Sequence, residues 1–405
     1  MTGPLTGVRV LELGSFIAGP FAGQLLADYG AEVIKVEPPE GGDAMRRWGR
    51  TLDGESLWWP TIARGKRSVA LDLREESARA VLRELASEVD VILENFRPGV
   101  LAEWGLDHAT LSRTNPGLVV VHVSGYGQTG PKAREAGFGS IGEAMGGIRH
   151  TTGDPDRPPA RAGVSLGDSL AGLFAVIGTL AALHERERSG HGQEVDVAIY
   201  EAVAALMEST LADHALAGVT RGRSGSVLPG VAPSNVYPTA DGAGVVLAAN
   251  ADSVFRRLAT LIGQPGLADD HRFADHGARG RHAAELDEII GHWTSTRPVE
   301  DLLADLASAG VPAGQIYTAA EMLSDDHYRA REMVLELINA AGHRLPSIGL
   351  VPKFSRSRPR VPEPGPVLGR HTRGLLAGAV ERAGLDYDEL RDRGTLADVE
   401  EWVHG

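Results

Sequence analysis

The 405-residue sequence contains no cysteine. Disulfides, thiolate nucleophiles and Cys-ligated metals are thereby excluded, and the usage fits a cytoplasmic protein. Positive charge is in deficit: 40 Lys and Arg stand against 54 Asp and Glu, a formal net charge of −14. General nucleic-acid binding and binding to anionic membranes both need a positive field, so neither nucleic acid nor membrane is an expected partner. The opening "MTGPLTGVRVLELG" has no basic segment followed by an apolar one, and no signal peptide is read. The uncharged apolar run Ser169–Leu183 covers fifteen residues and includes two glycines. That is too short for a bilayer, and the run reads as a core helix. The 14 histidines form no H-E-x-x-H pair, and no metal site is expected.

What is present is the material of a large globular fold. The length favours two domains or one domain with an insertion, and 42% hydrophobic residues suffice for a sizeable core. "VRVLEL" (8–13), "AEVIKVE" (31–37), "SVALDL" (68–73), "DVILENF" (90–96) and "LVVVHVSGYG" (118–127) are β-rich runs. Helix-like stretches lie among them, such as "EESARAVLRELASEV" (75–89). Strands alternating with helices predict an α/β fold with a parallel sheet. The Gly, Ser and Pro of "VTRGRSGSVLPGVAPSN" (219–235) mark a connection, and "GVPAGQIY" (310–317) reads as a strand returning the chain to its first body. Three segments are therefore expected: 1–218 in a large domain, 219–309 as a smaller α+β domain, and 310–405 completing the large one. The basic, proline-rich "VPKFSRSRPRVPEPGPVLG" (351–369) predicts an extended surface strap.

Two motif matches lack their structural context. "GFGSIG" (137–142) fits the dinucleotide fingerprint, but charged "PKAREA" precedes it where a strand is needed. "GVSLG" (163–167) fits the nucleophile elbow, yet "DPDRPPARA" comes before it instead of an apolar strand. Asp168 is more informative, because it stands directly in front of the apolar run. It reads either as the N-cap of a buried helix or as a reactive carboxylate kept ionised by the helix N-terminus. Glu143, in "GEAMGG", reads either as a solvated helix carboxylate or as part of a site where substrate lies against glycine backbone. Lys66 and Arg67 precede a strand and Arg97 follows one; such cations are either solvated or partners for an anion at a sheet crevice.

Five blocks occur in order: "PLTGVRVLELGSFIAGPFAGQLLADYGAEVIKVEPPEGGDAMRRW", "GKRSVALDL", "ENFRPGV", "TGDPDRPPARAGVSLGDSLAGLFAVIGTLAAL" and "GVPAGQIY". Together they resemble the family III coenzyme A transferases, which include carnitine CoA-transferases and α-methylacyl-CoA racemases. The resemblance implies a Rossmann-like large domain built from both chain ends, an inserted small domain, and an interlocked homodimer. It implies Asp168 as a nucleophile that forms a mixed anhydride and then an aspartyl-CoA thioester. Ile17 and Ala18 of "IAGP", Lys66, Asn95, Phe96 and Arg97 are implied to line the CoA site, the cations meeting phosphates. The partners are an acyl-CoA and a small carboxylic acid, with a coenzyme A thioester as substrate and no tightly bound cofactor.

Departures from the family pattern narrow the expectation. Phe138 stands where racemases of the family carry a His, so two-base racemisation lacks one base. Ile17 and Glu143 replace glutamines of some transferases, and Glu103 replaces a commonly basic residue. "GFGSIGEAMGG…TGDPDRPP" is most similar to members that use succinyl-CoA and small dicarboxylic acids. A second carboxylate needs its own cation, for which Arg149, Arg161, His150 and Arg157 are candidates. The alternatives are a 2-methylacyl-CoA racemase and a non-catalytic CoA-binding protein.

Overall fold

A computed structural model of the chain describes residues 3–399. Its larger sheet is built from β1 (Arg9–Glu12), β2 (Glu32–Glu37), β3 (Lys66–Leu71), β4 (Val91–Glu94), β5 (Val119–Ser124) and β6 (Glu194–Ala198). These six run parallel in the order 3-2-1-4-5-6. A seventh, two-residue strand, Leu396–Ala397, pairs antiparallel with β3 and closes that edge. The expected strands all form, the third beginning two residues before "SVALDL". Successive strand residues face opposite sides, so alternate apolar positions feed two cores. Val10, Val33, Val91, Leu93 and Val121 pack under α1 (Ala18–Asp28) and α2 (Leu166–Ser189). Leu11, Ile34, Val69, Ile92 and Val120 face the other way, beneath the helices Glu76–Ala86 and Thr372–Arg382. With both faces covered, the central runs of β4 and β5, Val91, Ile92, Leu93 and Val119, Val120, Val121, are continuously apolar, as in buried parallel sheets.

At 24 residues, α2 extends beyond the uncharged run on both sides and is long and apolar enough to cross a membrane by length and composition. It is nonetheless a core helix, since Leu170, Ala171, Ala175, Val176 and Ala182 all sit in the core it shares with α1.

The chain divides into two units. The larger holds the chain up to Ile148, Ala162–Leu211 and everything from His327; the smaller holds Arg149–Arg161 and Ala212–Asp326. The smaller unit therefore extends past residue 309 and also takes in 149–161. Within it, Gly225 N donates to Gly153 O, and Arg223 donates to the Asp154 and Pro155 carbonyls. The strand Ala313–Gln315 does not return the chain to the larger sheet. It pairs antiparallel with Gly244–Ala248 of the smaller unit, because the few residues after helix Val299–Ser308 bring it to that open edge first. The 351–369 strap carries no regular structure. It is fixed to the larger unit through Pro366 O, which accepts from Arg46 and from Trp59 Nε1.

Candidate active site

β1 and β4 are neighbours, but their continuations leave on opposite faces, one to α1 and the other to the turns carrying Leu101 and Leu111. Ligands of open parallel sheets bind at such a reversal, outside the carboxyl ends of the strands. Two loops meet there, Leu13–Ile17 after β1 and Asn95–Gly99 after β4. Asn95 joins them: Ser15 N donates to its Oδ1 at 2.8 Å and its Nδ2 donates to Ser15 O at 2.8 Å. Phe96 is half-buried, its ring edge-on to Trp104 at 5.2 Å. Arg97 is exposed and lines a cleft of about 280 Å³ with Glu94, His122, Gln128, Glu194 and Asp196. Ile17 is the N-cap residue of α1 and is buried, as is Ala18. Of the expected lining residues, 17, 95, 96 and 97 lie in the two loops of the switch point, and Ala18 opens α1 beside them.

Lys66 does not. It is fully buried, with Nζ 2.7 Å from Glu12 Oε2 and donating to Pro20 O at 2.7 Å. An ammonium engaged on both sides inside the core presents no charge to a phosphate. The sequence placed it at a strand end correctly, but Lys66 begins β3, and its stem runs up beneath α1.

Asp168 belongs to the first turn of α2, whose N-cap is Ser165. It is therefore the third helical residue and not the cap. Glu143 supplies the capping acceptor instead: Gly167 N donates to its Oε1 at 3.2 Å, and Glu143 is 2% exposed. Glu143 sits on the short helix α3 (Gly139–Met145). The solvated reading of Glu143 fails on that burial. The Asp168 carboxylate lies against the Cα of Gly139, where an added Cβ would stand 2.2 Å from Asp168 Oδ2. Neighbouring glycines serve packing rather than substrate approach. A Cβ on Gly142 would meet Ile199 at 2.4 Å, and one on Gly146 would meet Val203 at 2.6 Å. Gly172, one turn beyond Asp168, lets the Ala18 carbonyl come within 3.0 Å of where its Cβ would be. That contact sets the start of α1, with Ile17 and Ala18, beside the start of α2.

Arg149 and Arg161 belong to the smaller unit, with Arg161 exposed. Arg157 is exposed beside Asp154, 3.7 Å away. Phe138 is 68% exposed at the N-cap of α3, and Glu103 is exposed. No strand precedes Gly139 or Ser165, so both motif matches lack their context. Among the described residues, no group of three His, Asp or Glu side chains converges to hold a metal.

Two features escaped the sequence reading. Phe16 holds φ at 65°, rare for a bulky residue, and is 42% exposed. Such backbone costs about 1–3 kcal/mol and concentrates at functional sites. Its ring meets Trp48 edge-on at 5.5 Å, and Trp48 stacks with Trp58 at 6.1 Å. The second feature is His122, a buried interruption of the apolar β5. Its Nδ1 is hydrogen-bonded to Glu94, whose other oxygen accepts from Phe96 N at 2.6 Å. Burial opposes the charged ring, but Glu94 and Glu194 prevail and raise its pKa above the ordinary histidine value.

Comparison with known proteins gives a consistent result. Residues 5–372 match CoA-transferase family III. The chain is 54% identical over 388 residues to a succinyl-CoA–D-citramalate CoA-transferase of Chloroflexus aurantiacus, covering 96% of each chain. It is 39% identical to a succinate–glutarate CoA-transferase of Agrobacterium fabrum, over 92% of this chain and 95% of that one. A crystal structure of a CAIB/BAIF family protein from Brucella suis superposes with a TM-score of 0.82 at 36% identity, covering 94% of this chain and 100% of the other.

Proposed function

The chain belongs to CoA-transferase family III, and from that membership we propose that it moves CoA between succinyl-CoA, or a similar acyl-CoA, and a small dicarboxylic acid by way of Asp168. The observation that carries this reading is the placement of the Asp168 carboxylate in the first turn of α2, against glycine backbone and beside the start of α1. The positive end of the helix dipole favours its ionised form. Relatives acting on citramalate and glutarate support the dicarboxylate.

An Asp168 oxygen attacks the thioester carbonyl, the C–S bond breaks, and CoA leaves as thiolate. The resulting mixed anhydride is attacked by the thiolate at the Asp168 acyl carbon. The anhydride C–O bond breaks, releasing the donor acid and leaving an aspartyl-CoA thioester. The acceptor carboxylate runs the same steps in reverse. No proton is gained or lost overall, and two carboxylate–thioester exchanges replace one hard acyl transfer. Water must be kept out, because it hydrolyses the anhydride. Glu143 fixes the start of α2, and with it Asp168, through Gly167 N. CoA lies over the switch-point loops, touching Ile17, Ala18, Asn95, Phe96 and Arg97. Arg149 or Arg161 holds the acceptor's distal carboxylate.

The enzyme is cytoplasmic and works as a homodimer without a tightly bound cofactor. Leu173, Ile177 and Leu180 repeat at helical spacing on the exposed side of α2, with Ile141 and Met145 of α3 also bare. Apolar surface of this kind marks an interface more often than a bare monomer surface.

The test is intact-protein mass spectrometry after mixing with succinyl-CoA. The wild type should gain the mass of one CoA less one water. Asp168→Ala should show neither the adduct nor turnover while remaining folded, because loss of a first-turn acid costs only about 0.3–1 kcal/mol. Turnover by the Ala variant above trace level would overturn the covalent route.

A further inference from the structure

Four ionisable side chains lie buried beneath α1: Glu12 at the end of β1, Lys35 in β2, Asp43 in the loop after β2, and Lys66 at the start of β3. Each is 5% exposed or less. Glu12 Oε1 is 2.9 Å from Lys35 Nζ and its Oε2 is 2.7 Å from Lys66 Nζ, while Lys35 also meets Asp43 Oδ2 at 2.9 Å. Gly23 of α1 makes room for Glu12, since a Cβ there would stand 1.8 Å from Oε2. The two positive and two negative charges cancel within the cluster.

An apolar cluster of the same volume would be at least as stable as buried ions. What the ions add is direction, and three of their hydrogen bonds converge on one segment. Lys35 Nζ donates to Gly14 O at 2.7 Å, Lys66 Nζ donates to Pro20 O at 2.7 Å, and Asp43 Oδ1 accepts from Phe16 N at 3.3 Å. The segment 14–20 is therefore held at its first, third and last residues, including the strained Phe16. The same segment carries Ile17 and Ala18.

We propose that Glu12, Lys35, Asp43 and Lys66 are positioning residues for acyl-CoA, clamping the segment 14–20, which joins the loop after β1 to the first turn of α1, and that loss of the Lys66 proton releases the clamp. The proposal rests on the reading that CoA lies over this loop. Lys66 is the weak member. Burial pushes its pKa down to about 8; Glu12 and Asp43 support its charge and Lys35 opposes it. Lys35 is also pressed downward by burial, but Glu12, Asp43 and Glu37 outweigh this and raise it above the ordinary lysine value. The other charges around Lys66 are already committed. Asp28 of α1 is bound to Arg64, and Glu37 is bound to Arg46 and Ser68. His371 accepts from Ser68 N.

The experiment is calorimetric titration of the full-length protein with S-methyl-coenzyme A, which has no thiol to ionise, from about pH 7 to about pH 9.5. Wild-type Kd should be flat below the Lys66 transition and rise by about tenfold per pH unit above it, since the form that binds is the protonated one. Glu12→Gln removes the charge that supports the Lys66 proton, so the rise should begin at lower pH, by about one unit. Lys66→Met should bind weakly at every pH, with KM for succinyl-CoA raised and kcat at saturation little changed. An Asp168→Ala background should keep the wild-type pH limb, because binding needs no covalent step. Failure of the Asp168 chemistry therefore leaves this result standing. A flat wild-type profile, or a Glu12→Gln limb at the wild-type pH, overturns the proposal, and the first needs no variant to fold.

Discussion

Replacing Gly139 with Ala disturbs Asp168 without touching its chemistry. The new Cβ would lie 2.2 Å from Oδ2, 2.6 Å from Cγ and 2.9 Å from Oδ1 of Asp168. Non-bonded heavy atoms settle at about 3.5 Å or more, so the carboxylate must move by about 1 Å. Gly139 opens helix α3 without a positive φ, and Ala there is no worse for the backbone. The displaced side chain is the end of a short flexible group, and holding it off its rotamer costs about 0.5–1.5 kcal/mol. Stability should therefore change little, by about 1 kcal/mol or less. The chemistry is less forgiving. A displacement of about 1 Å from attack geometry costs about 10²-fold, or about 2.7 kcal/mol of barrier. Steady-state kcat with succinyl-CoA and a dicarboxylate, the rate of adduct formation by quenched mass spectrometry, and a thermal melt give the three numbers needed. The expected pattern is kcat and adduct rate down together with a nearly unchanged Tm. Wild-type turnover by the Ala variant would mean that Asp168 does not work from the place the structure gives it.

Asn95→Leu keeps the size of the side chain but leaves Ser15 N and O without their partner. Stability should fall by about 1–3 kcal/mol in chemical denaturation, and KM for succinyl-CoA should rise more than kcat falls. An unchanged KM would detach the Asn95 bridge from CoA binding. Arg161→Leu and Arg149→Leu test the distal carboxylate. The variant that loses the partner should lose about 2–5 kcal/mol in kcat/KM for a dicarboxylate if the pair is buried, and far less for a monocarboxylate of equal length. Equal losses for both acids, or none in either variant, would remove these arginines from the acceptor site.

Most of the larger unit was legible because its signals are local. Each β-rich run became a strand, and the alternation of strands with helices required parallel pairing. Ile17, Ala18, Asn95, Phe96 and Arg97 were implied by the family resemblance of their blocks, and the structure puts them just after two neighbouring parallel strands. Long-range matters were not legible. The strand Ala313–Gln315 has the same composition whichever sheet it joins, and only the short connection before it decides. The segment 149–161 goes with the smaller unit because of Gly225 and Arg223, some seventy residues on. Asp168 resembled a cap because an acid before an apolar run usually is one. The helix began two residues earlier, and its cap came from Glu143 on another helix.

Lys66 shows where the limit lies and how it can be moved. A cation beside a strand bordering a crevice reads the same whether it faces a ligand or a partner carboxylate. Glu12 and Lys35, however, directly follow the buried apolar pairs Val10, Leu11 and Val33, Ile34, and both fall on the parity of the face that α1 covers. A charge at such a position cannot stay unpaired in the core, so opposite charges in strands of the same sheet must find each other. Once Glu12 is seen to need two cations, Lys35 and Lys66 are the lysines at that parity in β2 and β3. Lys66 is then committed to the core before any phosphate is considered. Glycines can be read by the same test. Gly142 and Gly146 recur on one side of their helix, the spacing of a packed face, and the structure puts Ile199 and Val203 against them. Chemistry-bearing letters are therefore assigned to a ligand only after the fold's own demand for pairing and close packing has been met, and in this chain that order gives Glu12, Lys35 and Lys66 to one another.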